Sequence, residues 1–308
     1  MSQPRFDPGL TQQFTGVLRR SINKDGSFNV RRRGGNWRDF HPYLIALNMT
    51  WPHFFLVVLA VYISVNLLFA FGYFLLGPGA LAGADAATAM GRFWNDFFFS
   101  AHTLTTVGYG NISPASMGAN IVTAIEALTG LLGAALGTGV LFGRFSRPSA
   151  KLAFSEKMLV TNLRGTPTLQ FRIANQRTNV LMDLDATLIL MTVDGPAEAK
   201  TRNFQQLNLE RPNIYFLPLT WTIVHPIDES SPLFGKSQEE LDRLQAEFLI
   251  VVRGFDDTFS QTVHARYSYR YDELVWSARF HPAFEIDADG NMVLNVDRVS
   301  AHALAAGN

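Results

Sequence analysis

The sequence predicts a helical membrane domain with two spans and a re-entrant half-helix, followed by an all-β, immunoglobulin-like sandwich domain. Three observations carry this. Charged residues are scarce from about Pro52 to Arg147, although the chain as a whole is 17% charged. Within that stretch lie two apolar runs long enough to cross ~30 Å of hydrocarbon and, between them, one that is too short. Beyond Pro148 the apolar spacing changes to two, the period of a half-buried strand. The 308 residues therefore divide into a membrane part, 36–147, and a soluble part, 148–308.

Residues 1–35 read as a flexible tail with Gly, Asn, Asp and the basic run Arg31-Arg32-Arg33. Met1-Ser2-Gln3-Pro4-Arg5 has no apolar core and does not read as a cleavable signal. A basic run shortly before a span favours anionic headgroups nearby. Trp37, Phe40, Tyr43, Leu44 and Leu47 then recur at three- and four-residue steps, which predicts an amphipathic helix in the membrane interface, with Pro42 as a kink. The first span covers about 52–76, with only His53, Ser64 and Asn66 notably polar, and Gly77-Pro78-Gly79 stops it. Residues 93–105 are apolar but too short to span, and they run into glycine-rich backbone. Such backbone is tolerated at membrane depth where it lines a water-filled path.

The second span covers about 120–145 and carries one acid, Glu126, with glycines at 130, 133, 137, 139 and 143. Basic residues crowd both outer flanks, from Arg19 to Arg38 and from Arg144 to Lys157, while the loop between the spans has little more than Arg92. Positive-inside then places both termini of a multi-pass protein in the cytoplasm. In the soluble part, segments 168–174, 181–193, 216–224, 248–252, 263–271 and 292–296 read as strands between Gly, Pro, Asp and Asn turns, and 238–246 reads as helix. No internal repeat is found.

The chain has no cysteine, which excludes disulfides, thiolate metal sites and thiol catalysis. It shows no phosphate loop, HExxH or nucleophile elbow, so an enzyme is not expected. Nor is a nucleic-acid partner or a cofactor. His225 has no second ligand at useful spacing and reads as a core histidine.

The stretch that organises the membrane part is Thr105-Thr106-Val107-Gly108-Tyr109-Gly110. Glycine takes positive φ without a Cβ clash, so the segment can turn successive carbonyls to one side. Four copies around an axis would form rings of carbonyl oxygens able to replace the hydration shell of a potassium ion. The segment resembles the potassium-channel filter motif TVGYG, present here in full at residues 106–110.

The soluble part narrows the resemblance. Trp221-Thr222-Ile223-Val224-His225-Pro226-Ile227-Asp228, with Ser231-Pro232-Leu233, looks like the "TIxHxID…SPL" segment of the inward rectifiers. Ala265-Arg266-Tyr267-Ser268-Tyr269 and Asp272-Glu273-Leu274-Val275-Trp276 resemble their "ARxSYxxxEIxW" stretch. Phe204 to Leu209 and Arg144 to Pro148 add further matches, and the likeness covers roughly residues 36–284. It is similar to the prokaryotic inward-rectifier potassium channels.

The resemblance implies a homotetramer, each chain with three identical partners, passing potassium passively across a bacterial inner membrane. Carbonyls of Thr106, Val107, Gly108 and Tyr109, with the Thr106 hydroxyl, would bind potassium, and Gly110 completes the filter. Phe142 falls at the bundle-crossing gate, with Gly133 as a hinge candidate. His102 and Glu126 are read as filter support. Arg38, Arg144, Arg147 and Lys151 lie where relatives meet anionic membrane phospholipids. Ser260 and Gln261 fall near a second, cytoplasmic constriction.

There are two departures. Strong rectifiers carry an acid on the inner helix that attracts intracellular polycation blockers, and here that position is Ala134. Where many relatives keep a glutamate and a basic partner behind the filter, this chain has His102 and Ile112. Glu126 either faces the cavity or hydrogen-bonds behind the filter. His102 is either a titratable gate or a neutral histidine holding the filter backbone. The alternative for the whole chain is a membrane-anchored ligand-sensing protein with a non-conducting pore.

Overall fold

The computed structural model describes residues 7–10, 13–14, 19–31, 33–34, 41–146, 150–195 and 200–304. The chain packs as two units, Gly34–Arg147 and, separately, Met1–Arg33 with Pro148–Asn308.

In the first unit a short helix α1, Pro42–Asn48, precedes α2, Trp51–Leu75. Residues 37–40 of the expected interfacial helix lie outside the described residues. Pro42 does not kink α1 but opens it, because its missing N–H falls in the first turn, where no intrahelical partner exists. Helix α3, Ala89–Leu104, starts earlier than the expected residue 93, since the Thr88 hydroxyl accepts the Gly91 N–H at 3.1 Å and caps it. Sixteen residues give a length of about 24 Å, short of a bilayer crossing. Helix α4, Met117–Phe145, runs antiparallel to α2. The Trp51 ring lies 5.0 Å from the Phe145 ring at one end, and the Tyr73 hydroxyl meets Thr123 at 3.0 Å at the other. Both α2 and α4 are long and apolar enough to cross a membrane.

At two glycines of α4 an added Cβ would come within 3 Å of another atom. A Cβ on Gly130 would strike the backbone carbonyl of Leu104, the last residue of α3, and one on Gly143 would stand 2.7 Å from the Tyr43 hydroxyl of α1. Gly133, the hinge candidate, and Gly137 and Gly139 have nothing within 4 Å of that position in this chain. Gly130→Ala is therefore expected to cost about 3 kcal/mol, because backbone cannot swing aside as a side chain can. Thermal unfolding of the purified protein should show a clear drop for that variant and almost none for Gly133→Ala.

The second unit is a sandwich of two sheets. One runs, in strand order, Gln13–Phe14, Lys200–Leu207, Leu181–Asp194, Glu247–Asp256 and Gln261–Arg270, all antiparallel, with Asn213–Phe216 also on Leu181–Asp194. The other runs Thr220–Pro226, Thr166–Asn175, Met158–Leu163 and Leu274–Trp276, the last pair parallel. Leu169, Phe171 and Ile173 alternate inward and meet Leu188, Leu190, Phe248 and Ile250 in one core. The helix expected at 238–246 is shorter: α5 spans Gln238–Arg243 and ends before Gln245, which has a φ of 47°. His225 is a satisfied core histidine. Its Nδ1 lies 2.6 Å from the Asn208 carbonyl and its Nε2 2.8 Å from the Ser231 hydroxyl, and burial holds the imidazole below its ordinary pKa.

Residues 19–31 depart from the flexible tail expected of them. Ile22 is only 3% exposed, packed with Ile189, Met191, Phe204 and Leu249 on the outer face of the six-stranded sheet. The Ser21 N–H donates to Glu247 at 2.9 Å, and the Ser268 hydroxyl donates to the Ile22 carbonyl at 2.6 Å. Arg20 and Lys24 both pair with Glu273, Lys24 at 2.7 Å. Burial alone would raise the Glu273 pKa, but the Lys24 hydrogen bond, the Arg270 amide and the Arg20 charge together hold it below the ordinary 4.5. Stability from this strap is thus present above that ordinary value and is lost as pH falls through the lower folded one. Amide exchange at Ser21 and Ile22, corrected for intrinsic rates, should rise on such acidification, and Glu273→Gln should reproduce the rise at neutral pH.

Candidate functional site

The site starts where α3 stops. Thr105 caps the helix with φ −83°, and from there every second residue enters the left-handed region: Thr106 at 60°, Gly108 at 54° and Gly110 at 82°. The N–H of Thr106 donates to the Thr103 carbonyl at 3.0 Å, and those of Val107 and Gly108 donate to the His102 carbonyl at 2.9 and 3.2 Å. In a trans peptide the carbonyl points opposite to the N–H that follows it. Binding three amides to α3 therefore turns the carbonyls of Thr105, Thr106 and Val107 the other way, into one row. Left-handed backbone suits glycine but is an outlier for a β-branched residue. Thr106 thus holds a conformation costing on the order of 1–3 kcal/mol, a kind of strain that clusters at functional sites. Reading glycines alone missed it.

Behind this segment a polar cluster ties the three long helices together. Glu126 of α4 is fully buried. Its carboxylate accepts from the Tyr73 hydroxyl of α2 at 2.6 Å and from the Ser100 hydroxyl of α3. Ser100 also lies 3.1 Å from the Asn66 amide oxygen, and the Asn66 amide nitrogen donates back to the Tyr62 carbonyl at 2.7 Å. Of the two readings of Glu126, this is the bracing one. Sequence reasoning noted Asn66 and Glu126 but not Tyr73 and Ser100. The available signal was a set of polar groups on apolar helices, each needing a partner away from water. His102 lends its backbone carbonyl to the segment and sets its ring edge-on to Tyr109, centroids 4.7 Å apart. Ile112 joins the apolar cluster of Tyr73, Leu81 and Phe99.

The half-helix α3, packed with the two long apolar helices, thus ends in a strained segment that turns its carbonyls away from the helix. Comparison with known proteins gives the family of the chain. Residues 152–304 match the family described as the inward rectifier potassium channel C-terminal domain, and residues 56–147 match the ion channel family. The chain is 36% identical over 283 residues to the inward rectifier potassium channel Kirbac3.1 of Paramagnetospirillum magnetotacticum, covering 91% of this chain and 94% of that one. The chain belongs to the inward rectifier potassium channel family. Its likeness extends to the G protein-activated inward rectifier potassium channel 3 of Homo sapiens, 27% identical over 306 residues, covering 92% of this chain and 77% of that one. Membership makes it a membrane-embedded ion channel and not an enzyme.

The other expected residues of this inward rectifier fall as follows. Phe142, 72% exposed in the single subunit, stands near the end of α4, and Ala134 is exposed on the same helix. Arg144, expected at lipid headgroups, is taken up by α1. Its terminal nitrogens donate to the Ala46 carbonyl and, at 2.7 Å, to the Met49 carbonyl, with the guanidinium 4.4 Å from the Trp51 ring centroid. It caps the end of α1, where unpaired carbonyls attract a cation. Lys151 is exposed. Arg38 and Arg147 lie outside the described residues. Ser260 and Gln261 sit at the exposed tip of the hairpin joining Glu247–Asp256 to Gln261–Arg270, where Ser260 has a φ of 50°.

Proposed function

We propose that four copies of this chain assemble around an axis lined by residues 106–110 and pass potassium passively down its electrochemical gradient. Carbonyls of Thr106, Val107, Gly108 and Tyr109, with the Thr106 hydroxyl, replace the hydration shell, and the C-terminal dipole of α3 favours a cation on the path. The observation that carries this reading is the alternation of left-handed residues at Thr106, Gly108 and Gly110, which aligns the carbonyls within a family named for potassium conduction. The exposed Tyr109, Leu128, Leu131 and Leu136 fit burial against neighbouring copies.

Both termini lie in the cytoplasm of a bacterial inner membrane, with the filter near the outer face. Phe142 forms the gate, Gly133 its hinge, and Ser260 with Gln261 a second constriction on the ion path. Arg38, Arg147 and Lys151 meet anionic phospholipids, while Arg144 acts through α1. Ala134 leaves intracellular polycations without the acid that would draw them in, so block by them is weak. Vesicles holding the purified chain should take up rubidium far faster than sodium. Equal fluxes would sink the proposal.

A further inference from the structure

The loop between α2 and α3 encloses a cavity of about 220 Å³. Asp96 of α3 lines it, only 3% exposed, with Oδ2 buried and without a hydrogen-bond partner. Four residues earlier, on the same helix face, Arg92 lines it too. Its guanidinium lies 4.3 Å from the Phe74 ring centroid and donates to the Phe74 carbonyl at 3.3 Å, yet its Nε is likewise buried and unbonded. The charges of Arg92 and Asp96 act on each other along the helix, but no hydrogen bond joins them. Buried polar groups are rarely left unpaired, so an unbonded acceptor and an unbonded donor beside one cavity point to a ligand that supplies both partners. Asp85 at the exposed rim brings the lining to one net negative charge, and Ala80, Ala84 and Ala87 form apolar wall. The cavity lies at the end of α2, a helix long and apolar enough to cross a membrane, and α3 carries the exposed Trp94, a residue type enriched at membrane boundaries.

We propose that this cavity binds a phosphoethanolamine-type zwitterion, the headgroup of phosphatidylethanolamine, with its ammonium on Asp96 and its phosphate on Arg92. A choline headgroup has no N–H to give Asp96. A glycerol headgroup brings only negative charge toward Asp85 and leaves Asp96 unpaired, which is costly in a buried site. The lipid and the free headgroup share this chemistry and differ in how they arrive.

The full chain, reconstituted in an equimolar mixture of phosphatidylethanolamine, phosphatidylcholine and phosphatidylglycerol and then isolated, should retain the ethanolamine lipid about tenfold over the choline lipid. Asp96→Asn should reduce this to near parity. Ala87→Leu, which fills the cavity from an exposed loop position, should do the same without touching the buried carboxylate. A parallel titration with soluble glycerophosphoethanolamine, a phosphodiester zwitterion like the lipid headgroup, in phosphatidylcholine alone, separates the sources. Asp96-dependent binding there without lipid enrichment assigns the site to the free headgroup. Equal retention of all three lipids with no soluble binding, or an enrichment that survives both substitutions, overturns the proposal.

Discussion

Gly110→Ala is expected to abolish the preference for potassium over sodium. Gly110 stands at φ 82°, in the left-handed region, where any residue with a Cβ is penalised by roughly 1–2 kcal/mol. In a filter built from four copies the penalty repeats around the ring, and the least costly relief is rotation of the peptide planes that aim the carbonyls. Gly290 offers a matched control, since it lies at φ 86° in the hairpin turn between Phe284–Ile286 and Met292–Leu294, in the other unit of the chain. Gly290→Ala should carry similar strain and leave the rubidium-to-sodium flux ratio unchanged. Equal effects of the two substitutions would show that the filter's geometry is not what selects the ion.

Glu126→Ala is expected to destabilise the membrane domain by about 3 kcal/mol, because it removes the shared acceptor of two buried hydroxyls and leaves a void in their place. Tyr73 keeps Thr123 and Ser100 keeps Asn66, so the helices stay in contact but α3 loses its hydrogen bond from Ser100 to Glu126 of α4. Glu126→Gln should be milder, since an amide still offers one oxygen and the hydroxyls can accept from its nitrogen. Thermal unfolding in detergent should rank wild type above Gln above Ala, with ion flux falling in the same order. A Glu126→Ala variant as stable as the wild type would remove the bracing role.

Much of this fold is legible in the sequence because its determinants are local. Run length separates α2 and α4 from α3, and alternation exposes the strand Thr166–Asn175. In the other sheet, the strand Lys200–Leu207 is harder to see, since it buries only Phe204 and Leu207 and the rest of its residues are polar or charged. The strap at residues 19–31 is nearly invisible, because a single buried Ile22 anchors it and much of the remaining hold comes from Glu247, Ser268 and Glu273, more than two hundred residues away. At the site, Gly108 and Gly110 announce their backbone conformation and Thr106 does not. Its φ follows from amides docked on α3, which is tertiary information. The contacts of Arg144 are hidden for a similar reason: a cation at the end of a span suggests lipid, and no local pattern places the carbonyls of α1 beside it.

The two close glycine contacts of α4 have a mechanical consequence. The helix is held against the end of α3 at Gly130 and against α1 at Gly143, and within this chain nothing lies within 4 Å of an added Cβ at Gly133, Gly137 and Gly139 between them. A rod held at two points flexes between them. Bending of α4 is therefore expected between Gly130 and Gly143, with its contact to the end of α3 left in place. Under the proposed function, such bending at the inner end of the helix leaves the residues behind the filter where they are.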